Sequence, residues 1–285
     1  MPTPAALEQY DWLGACRRAA EGVRAVLAAA PTSRERLVET GDVGEGGDRT
    51  LRIDAEAEEA VFGQLRGLYE SGARFTAISE ERGRVDFGDP GILVIVDPID
   101  GSLNAKRGLT HHALSIAVAD GPTMADVAFG FVWDAGPDET WSAVRGGGAR
   151  RNGELLDDVP SERRRPDGRL ELIALESARP WLMAAQAQAL EAAAGRVRAI
   201  GAIAISLCQV AAGRVDAMAS LGPCRSVDAA AAQLVVRESG GLVGFPWFAE
   251  PLAAPLSDLT PCSPVIAART PDALRIAATL PAPRD

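Results

Sequence analysis

Residues 92–102, Ile-Leu-Val-Ile-Val-Asp-Pro-Ile-Asp-Gly-Ser, are the stretch of this 285-residue chain that best indicates its fold. Residues 92–96 are continuously apolar and mostly β-branched, which is typical of a strand buried on both faces. Asp97, Asp100 and Ser102 follow this run directly, and the proline and glycine between them favour a tight turn. The sequence therefore predicts a buried strand that delivers two carboxylates and a hydroxyl group to one rigid turn.

Helices and antiparallel strands account for the first half of the chain. Apolar residues at steps of three and four predict a helix over residues 13–27, and the same pattern predicts a second helix over 54–69. Short apolar segments separated by Gly, Pro and Asp predict a meander-like antiparallel sheet after these helices. The predicted strands are residues 75–78, 92–96, 114–119, 127–132 and 140–144.

The second half of the chain alternates between strands and helices. A polar stretch, residues 151–168, precedes it, and we predict a junction there between a domain of residues 1–160 and a domain of residues 161–285. Alternation of this kind indicates a layered α/β arrangement. The predicted strands are 170–175, 197–200 and 215–219, the predicted helices are 181–194, 203–212 and 227–239, and a last strand and helix span 264–279.

The charge balance of the chain limits its partners. With 29 Lys and Arg against 39 Asp and Glu, the formal net charge is −10. This excess of acid argues against nucleic acid and against an anionic membrane surface, because both are bound by basic faces. Lys106 is the only lysine of the chain. The surplus carboxylates either form a solvated acidic surface or include a group that is gathered to hold cations.

The cysteines and the N-terminal sequence bear on the cellular compartment. Cys16, Cys208, Cys224 and Cys262 show no metal-binding spacing, and the only two histidines are adjacent, which argues against a zinc site. No apolar run is long enough to span a membrane, and the N-terminus lacks the apolar core of a signal peptide. Sparse cysteines suit a reducing cytosol, so we expect a cytoplasmic location.

The turn after the buried strand has the chemistry of a cation site. Asp97 and Asp100 stand three residues apart across it, so both carboxylates can share one hard cation. The carbonyl oxygen of Ile99 can serve as a further ligand, and such a set of oxygen atoms suits Mg²⁺. The alternative is an Asx-type turn with two solvated carboxylates, and directly after a buried strand we favour the cation site.

Three further acidic signals are weaker when each is taken alone. Glu80 and Glu81 follow a short apolar strand, and an exposed acidic turn explains them equally well. Asp228 begins an Ala-rich helix, and Asp54 lies at the start of the second helix. Helix capping is the ordinary explanation for an acid at either of these positions.

The order of these motifs along the chain resembles that of a known family. The order is similar to that of the inositol monophosphatase and fructose-1,6-bisphosphatase superfamily of Mg²⁺-dependent phosphomonoesterases, over about residues 40–270. The ISEERG and DGSLNAKRG segments look most like the archaeal-type dual inositol monophosphatase/fructose bisphosphatase branch. The resemblance implies a layered αβαβα sandwich and a homodimer. The motifs are GGDxTxxxD at 46–54, SEE at 79–81, DPIDGS at 97–102 and DAAA…ESGG at 228–241.

The resemblance also implies a metal centre. Two to three Mg²⁺ ions per site would be held by carboxylates from distant parts of the chain, together with one backbone carbonyl group. Unpaired carboxylates are costly to bring together, and divalent cations remove that cost. The implied ligands are Glu80, Asp97, Asp100, Asp228 and the carbonyl oxygen of Ile99.

Catalytic roles follow from the same resemblance. Glu80 and the hydroxyl group of Ser102 would orient the attacking water and help to deprotonate it, with Asp54 as a supporting acid. Ser102 stands where the family usually has Thr. The serine keeps the hydroxyl group of Thr and lacks only its methyl group. The backbone N–H groups of Gly101 and Ser102 would bind the phosphate.

Substrate recognition departs from the family pattern. Animal-type inositol monophosphatases have a Trp before the last metal-binding Asp and a Glu several residues earlier, and this chain has Val227 and Leu221 there. Strict inositol specificity is therefore not implied. Arg225 could bind a second phosphate or a sugar oxygen, with a surface arginine as the alternative, and Ser177 is a second substrate-binding candidate.

Two loops and three basic residues complete the set of candidates. The Gly-rich loops 41–48 and 82–90 flank the acids and are candidates to close over the site. Lys106 follows the turn, and either a substrate contact or a structural role would explain it. His111 and His112 are interpreted as packing or rim residues.

Several functions agree with this sequence. The first is hydrolysis of an inositol monophosphate or of fructose 1,6-bisphosphate, and 3′-phosphoadenosine 5′-phosphate and histidinol phosphate are alternative substrates. A catalytically weak, metal-binding regulatory relative is a further alternative. A haloacid-dehalogenase-type phosphatase is disfavoured, because its nucleophilic and acid/base Asp residues lie two positions apart, whereas Asp97 and Asp100 lie three apart.

Overall fold

A layer of helices covers the first face of the molecule. The computed structural model describes residues 9–43, 49–257 and 259–284. The two long helices of this layer are amphipathic, and their apolar faces pack together against the first sheet. The elements of the layer are α1 (Trp12–Ala29), α2 (Ser33–Arg36), β1 (Glu39–Val43), β2 (Arg49–Leu51) and α3 (Arg52–Glu70).

The first sheet has seven strands, and from its second strand onward it is the predicted antiparallel meander. Its central strands are buried throughout, as the continuous apolar runs predict. The first part of the second strand and the last two strands, which are short, were not predicted. The strands are β3 (Phe75–Ser79), β4 (Gly83–Asp100), β5 (Ala113–Ala119), β6 (Val127–Asp134), β7 (Glu139–Val144), β8 (Gly148–Arg151) and β9 (Glu154–Leu155). The short helix α4 (Ser102–Arg107) lies between β4 and β5.

Strand β4 pairs with β3 twice because it turns back on itself. Ser79 lies opposite Gly83 in an antiparallel pairing and opposite Val96 in a parallel pairing. The parallel half of β4 and β3 therefore end at the same edge of the sheet. The predicted loop 82–90 is wrong for residues 83–88, which pair with β3. Of the predicted loop 41–48, residues 41–43 belong to β1, and residues 44–48 lie outside the described residues.

Two nearly fully buried helices form the middle layer. Helices α7 (Ile203–Ala211) and α8 (Ser226–Glu238) share one apolar core with residues of both sheets. Small alanine side chains at 229–232 allow α8 to lie close to the first sheet, where the carbonyl of Ala231 lies against Gly130. The middle core thus joins the two halves of the chain, and the domain boundary near residue 160 stays a prediction.

The second sheet and an outer helical layer complete the sandwich. The sheet has five strands, and its outer face packs against the last helices. The layered αβαβα arrangement is confirmed. The predicted helix 181–194 is two helices, because the chain leaves helical geometry at Gln186. These elements are β10 (Ile173–Glu176), α5 (Pro180–Ala185), α6 (Ala187–Ala193), β11 (Val197–Arg198), β12 (Ala217–Ser220), β13 (Leu242–Gly244), β14 (Ile266–Ala268) and α9 (Pro271–Ala277). The strands lie in the order β11-β10-β12-β14-β13 across the sheet.

Within residues 9–43, 49–257 and 259–284, no helix is long and apolar enough to cross a bilayer.

Candidate active site

The turn that ends β4 buries both of its carboxylates. Asp97 is 1% exposed and Asp100 is 6% exposed. The amide of Ile99 donates a hydrogen bond of 3.0 Å to Oδ1 of Asp97, which is the geometry of an Asx turn. The Asx turn of the alternative interpretation is therefore present. Its solvated carboxylates are excluded, because both acids are buried.

Gly101 allows the turn to touch the second half of the chain. Its φ angle is +80°, in the left-handed region that favours glycine. A Cβ atom at this position would lie 2.8 Å from the carbonyl oxygen of His111 and 2.9 Å from that of Gly201. Any larger residue would push the turn away from the loop that precedes α7.

The N-terminus of α7 binds Asp100. The amide of Ala204 donates to Oδ2 of Asp100 at 2.7 Å, and the amide of Ile203 donates to Oδ1 at 3.3 Å. These two N–H groups have no partner inside the helix, and the helix dipole places positive charge at the same end. Asp100 therefore stays oriented in the interior without a counter-ion of its own.

Arg225 joins two acids from opposite halves of the chain. Its guanidinium group donates to Oε1 of Glu80 at 2.5 Å and to Oδ1 of Asp228 at 2.9 Å. Its backbone N–H donates to Oδ2 of Asp228 at 2.8 Å. The side chain of Arg225 is only 21% exposed, so the interpretation of Arg225 as a surface arginine is excluded.

Four carboxylates gather around the end of β4, and their proximity raises the pKa values of Asp97 and Asp100. Burial raises the pKa of Asp97 well above its usual range, and the charges of Glu80, Asp100 and Asp228 raise it further. Burial also raises the pKa of Asp100 well above its usual range, and Asp228 adds to the effect. We call Glu80, Asp97, Asp100 and Asp228 the acid cluster. Its negative charge is far from fully compensated by Arg225.

The acid cluster has suitable atoms for a hard divalent cation, but Arg225 holds two of its members. Carboxylate oxygens suit Mg²⁺, and four neighbouring carboxylates are an environment that strongly favours a bound cation. Among the residues that the structure describes, however, no three acidic, His or Cys side chains converge to hold a metal ion. We attribute this to Arg225, because its guanidinium group orients Glu80 and Asp228 toward itself.

The candidate catalytic residues line one small cavity on the first-sheet side of the acid cluster. Asp54, Glu80 and Ser102 line it, together with Ile99 and Lys106. Nζ of Lys106 lies 3.6 Å from Oδ2 of Asp54. Burial raises the pKa of Asp54, and the charge of Lys106 lowers it in part. The lone lysine thus belongs to the site, a location that the sequence left open.

A larger cavity of about 470 Å³ lies on the second-sheet side of the cluster, and we call it the substrate cavity. Asp100, Asp228 and Arg225 line it, and so does the predicted Ser177. Ser177 has a φ angle of +49°, which is unusual for a residue other than glycine. The strained backbone turns the chain sharply at the end of β10, beside this cavity.

Glu176 is a residue of the substrate cavity that sequence reasoning missed. It is almost fully buried, and its carboxylate accepts hydrogen bonds from Ser206 Oγ at 2.5 Å and from the amide of Gly201 at 3.0 Å. Burial raises its pKa to about 7. The available signal was its position, because Glu176 ends a buried strand just as Glu80 follows β3.

Glu58 is a second missed residue, and it supports the turn that carries Glu80. Its buried carboxylate accepts a hydrogen bond from Ser79 Oγ and pairs with Arg82 Nε at 2.9 Å. Glu58 is four residues after Asp54 in α3, so both acids lie on the same helix face. That spacing was the signal in the sequence.

The two histidines lie beside the turn. His112 is buried, and its Nδ1 lies 3.1 Å from the carbonyl oxygen of Leu109. His111 is exposed and contributes its backbone carbonyl oxygen to the contact with Gly101. These positions agree with packing and rim roles.

The comparison with known families agrees with this arrangement. A model described as "Inositol monophosphatase family" matches residues 12–262. The chain belongs to the inositol monophosphatase family. All four residues of the acid cluster fall within the matched range. Membership of this family makes the chain a phosphatase.

Two relatives support the family assignment, and one solved structure supports the fold. A fructose-1,6-bisphosphatase/inositol-1-monophosphatase of Methanothermobacter thermautotrophicus is 32% identical over 251 residues, 82% of this chain and 84% of the relative. The Nus factor SuhB of Escherichia coli K12 is 34% identical over 204 residues, 69% of this chain and 71% of the relative. A solved inositol monophosphatase-fructose 1,6 bisphosphatase superposes with a TM-score of 0.79 at 23% identity, covering 95% of this chain and 100% of that one. That structure confirms the fold.

Proposed function

We propose that this chain is a Mg²⁺-dependent phosphomonoesterase that hydrolyses a small sugar or inositol phosphate, such as inositol 1-phosphate or fructose 1,6-bisphosphate. The observation that carries the proposal is the burial of Asp97 and Asp100 beside Glu80 and Asp228. Charges placed together in this way need a cation, and a phosphate ester also needs one to approach an acidic surface.

The metal ligands of the proposal are the acid cluster and the carbonyl oxygen of Ile99, which together would hold two to three Mg²⁺ ions. Bound Mg²⁺ supplies the charge that polarises a phosphoryl group and lowers the pKa of water. Arg225 must release Glu80 and Asp228 before their carboxylates can bind a cation. Because Arg225 also lines the substrate cavity, we propose that it then contacts the substrate.

The chain's own residues complete the reaction in this proposal. Ser102 and Glu80 orient the attacking water, the carboxylate of Glu80 accepts its proton, and Asp54 supports them from the same cavity. The amides of Gly101 and Ser102 bind the phosphate. Ser177 binds the leaving group on the opposite side of the cluster.

Three further properties belong to the same proposal. We propose that the protein is cytoplasmic, that it acts on a small phosphorylated substrate without nucleic acid or membrane, and that it forms a homodimer. The sparse cysteines support the cytoplasmic location, and the net charge of −10 supports the absence of nucleic acid and membrane as partners. The family membership supports the homodimer.

Metal dependence tests the proposal directly. The purified protein is treated with EDTA, dialysed, and assayed for phosphate release from inositol 1-phosphate and fructose 1,6-bisphosphate. We expect no turnover without metal, full recovery with Mg²⁺, and inhibition by Li⁺ by analogy with the family.

Three results would count against it. Turnover that persists in EDTA would contradict the metal centre. A trapped phospho-enzyme would favour the haloacid-dehalogenase-type reaction. No hydrolysis of any ester with Mg²⁺ would favour the regulatory relative.

A further inference from the structure

Lys106 is the one lysine among the 29 Lys and Arg residues of the chain, and it lines the small cavity beside the acid cluster. We call this cavity the water cavity, because it is lined by the residues that are proposed to orient the attacking water. Three acids, Asp54, Glu80 and Glu81, belong to its described lining, and Lys106 is the only basic residue there. The lysine therefore brings one positive charge into an otherwise acidic space.

The acids of the water cavity are the ligands that a third Mg²⁺ would need. Such an ion requires oxygen atoms beyond those of the acid cluster, and Asp54 and Glu81 are the acids that line the cavity next to it. Nζ of Lys106 instead lies 3.6 Å from Oδ2 of Asp54. An ammonium group is a compact, strongly hydrated charge, so it resembles a metal ion more closely than the planar guanidinium group of an arginine does.

The space that is left beside the lysine is too small for a hydrated ion. The water cavity has a volume of about 10 Å³, which is about the space that one water molecule needs. Mg²⁺ takes an octahedral set of ligands and usually keeps several water molecules. One ammonium group and one water molecule therefore occupy the region that a further Mg²⁺ would have to fill.

Helix α4 fixes the lysine in this position. Ser102 and Lys106 stand four residues apart on α4, so the hydroxyl and ammonium groups lie on the same face of the helix, and both residues line the water cavity. Nη1 of Arg36 donates a hydrogen bond of 2.7 Å to the carbonyl oxygen of Ala105, which anchors the last turn of α4. The side chain of Lys106 is only 19% exposed, so its charge is directed inward.

The charge of Lys106 opposes the entry of another cation. Like charges about 4 Å apart repel each other strongly at a partly buried site. The same charge lowers the pKa of Asp54, which favours the ionised carboxylate without any metal. A divalent ion would therefore gain less at Asp54 than at the acid cluster, whose charge Arg225 compensates only in part.

We propose that the ammonium group of Lys106 takes the place of a third cation, so that the chain binds two Mg²⁺ ions and supplies the remaining cationic group itself. The proposal rests on the metal centre proposed above, and it reduces the expected number of ions from two or three to two. Lys106 pairs with Asp54 and leaves room for one water molecule beside Glu80 and Ser102.

Counting bound ions tests this role without any substrate. Mn²⁺ is the probe, because it takes the same oxygen ligands as Mg²⁺ and the free ion can be counted by electron paramagnetic resonance. We expect two Mn²⁺ ions per chain in the wild type and three in Lys106→Ala, which removes the charge and enlarges the cavity. The additional ion should bind only at metal concentrations above those that saturate turnover, yet at least about 100-fold more tightly than any third ion in the wild type.

Three variants separate the charge of the lysine from other effects. Lys106→Arg keeps a positive charge and should bind two ions. Arg107→Ala removes an exposed cation from the next position of α4, is the matched control, and should also bind two. Lys106→Gln removes the charge with a smaller change in volume and should bind three, so it decides the proposal if Lys106→Ala does not fold.

The outcomes distinguish the role of the lysine from the reaction. Three ions in the wild type, or two in both Lys106→Ala and Lys106→Gln, would overturn the proposal, and Mg²⁺-dependent turnover would still support the phosphatase. Counts of two in the wild type and three in the uncharged variants, with no ester hydrolysed, would refute the phosphatase and support the role of Lys106. No bound Mn²⁺ in any of the proteins would overturn both proposals.

Discussion

The guanidinium group of Arg225 donates a 2.5 Å hydrogen bond to the carboxylate of Glu80, although 145 residues of chain separate the two. The contact joins the end of β3 to the start of α8 across the acid cluster. Arg225 therefore occupies the position in which a metal cation would neutralise these carboxylates. A metal ion has to compete with Arg225 for Glu80 and Asp228.

Arg225→Ala is expected to make the protein more dependent on Mg²⁺. In EDTA the variant should lose about 2 kcal/mol of stability, because two partly buried carboxylates lose their hydrogen-bonded partner. With Mg²⁺ the loss should largely disappear, since the cation no longer competes with the guanidinium group. Differential scanning calorimetry in EDTA and in Mg²⁺ measures both effects.

A matched control is Arg163→Ala. Arg163 pairs with the buried Asp216 at 3.2 Å, outside the acid cluster. This variant should also lose stability, but the loss should be the same in EDTA and in Mg²⁺. An equal Mg²⁺ response of the Arg225 and Arg163 variants would contradict competition at the acid cluster.

Local sequence patterns were sufficient for most of the fold. The apolar run at 92–96 predicted a buried central strand, and the two acids after it were predicted to share one turn, as they do. Residues 83–88 were missed because their glycines were taken as a loop signal. The alternation of Val85 and Phe87 with polar residues indicates a strand, and the return pairing with β3 depends on contacts that no local pattern contains.

The acids of the site could be selected from the sequence, but their partners could not. Asp228 and Glu80 were chosen by their motifs. In the structure, both accept hydrogen bonds from Arg225. The pairing of Lys106 with Asp54 depends on how α3 lies against the turn. The exposure of these two side chains depends on the same packing. Such contacts between distant segments are set by packing in three dimensions.

Asp97→Asn should abolish turnover without harming the fold. The substitution keeps the shape of a side chain that is 1% exposed and removes one charge from the acid cluster. Phosphate release should fall by at least about 100-fold, as expected when a main electrostatic contact of a transition state is lost. The stabilisation by Mg²⁺ in calorimetry should fall with it.

Asp134→Asn is the corresponding control, because Asp134 is also buried and burial raises its pKa to about 6. It is not a member of the acid cluster, so its variant should keep its turnover and its response to Mg²⁺. Near-normal turnover of Asp97→Asn would refute the metal assignment.

Ser102 is expected to act through its hydroxyl group alone. Ser102→Ala should lower kcat by about 10²-fold with little change in KM, because the hydroxyl group that orients the attacking water is lost. Ser102→Thr keeps the hydroxyl group and should keep most of the activity. Steady-state kinetics on one substrate compares the three proteins, and equal kcat values for Ala and Ser would exclude the role.

Lys106 should determine the acid limb of the pH profile through Asp54. Its charge lowers the pKa of Asp54, which burial raises. Lys106→Gln removes that effect, so the pKa of Asp54 rises and activity should begin only at a higher pH than in the wild type. Lys106→Arg keeps the charge and should restore the profile. The measurement is kcat/KM against pH at saturating Mg²⁺, and superimposable profiles for Gln and Lys would contradict the role.

Glu176 should make the protein less stable as the pH rises. Burial raises its pKa to about 7 in the folded state, against an ordinary value of 4.5. The folded protein therefore keeps a proton that the unfolded chain loses, so the stabilisation is complete below about pH 4.5 and is lost as the pH rises to about 7. At pH 8 the loss amounts to about 3 kcal/mol. Glu176→Gln does not titrate and can still bond Gly201 and Ser206. Its stability relative to the wild type should therefore increase between pH 5 and pH 8 in urea unfolding at constant Mg²⁺, and a constant difference would show that Glu176 does not bind a proton in the folded state.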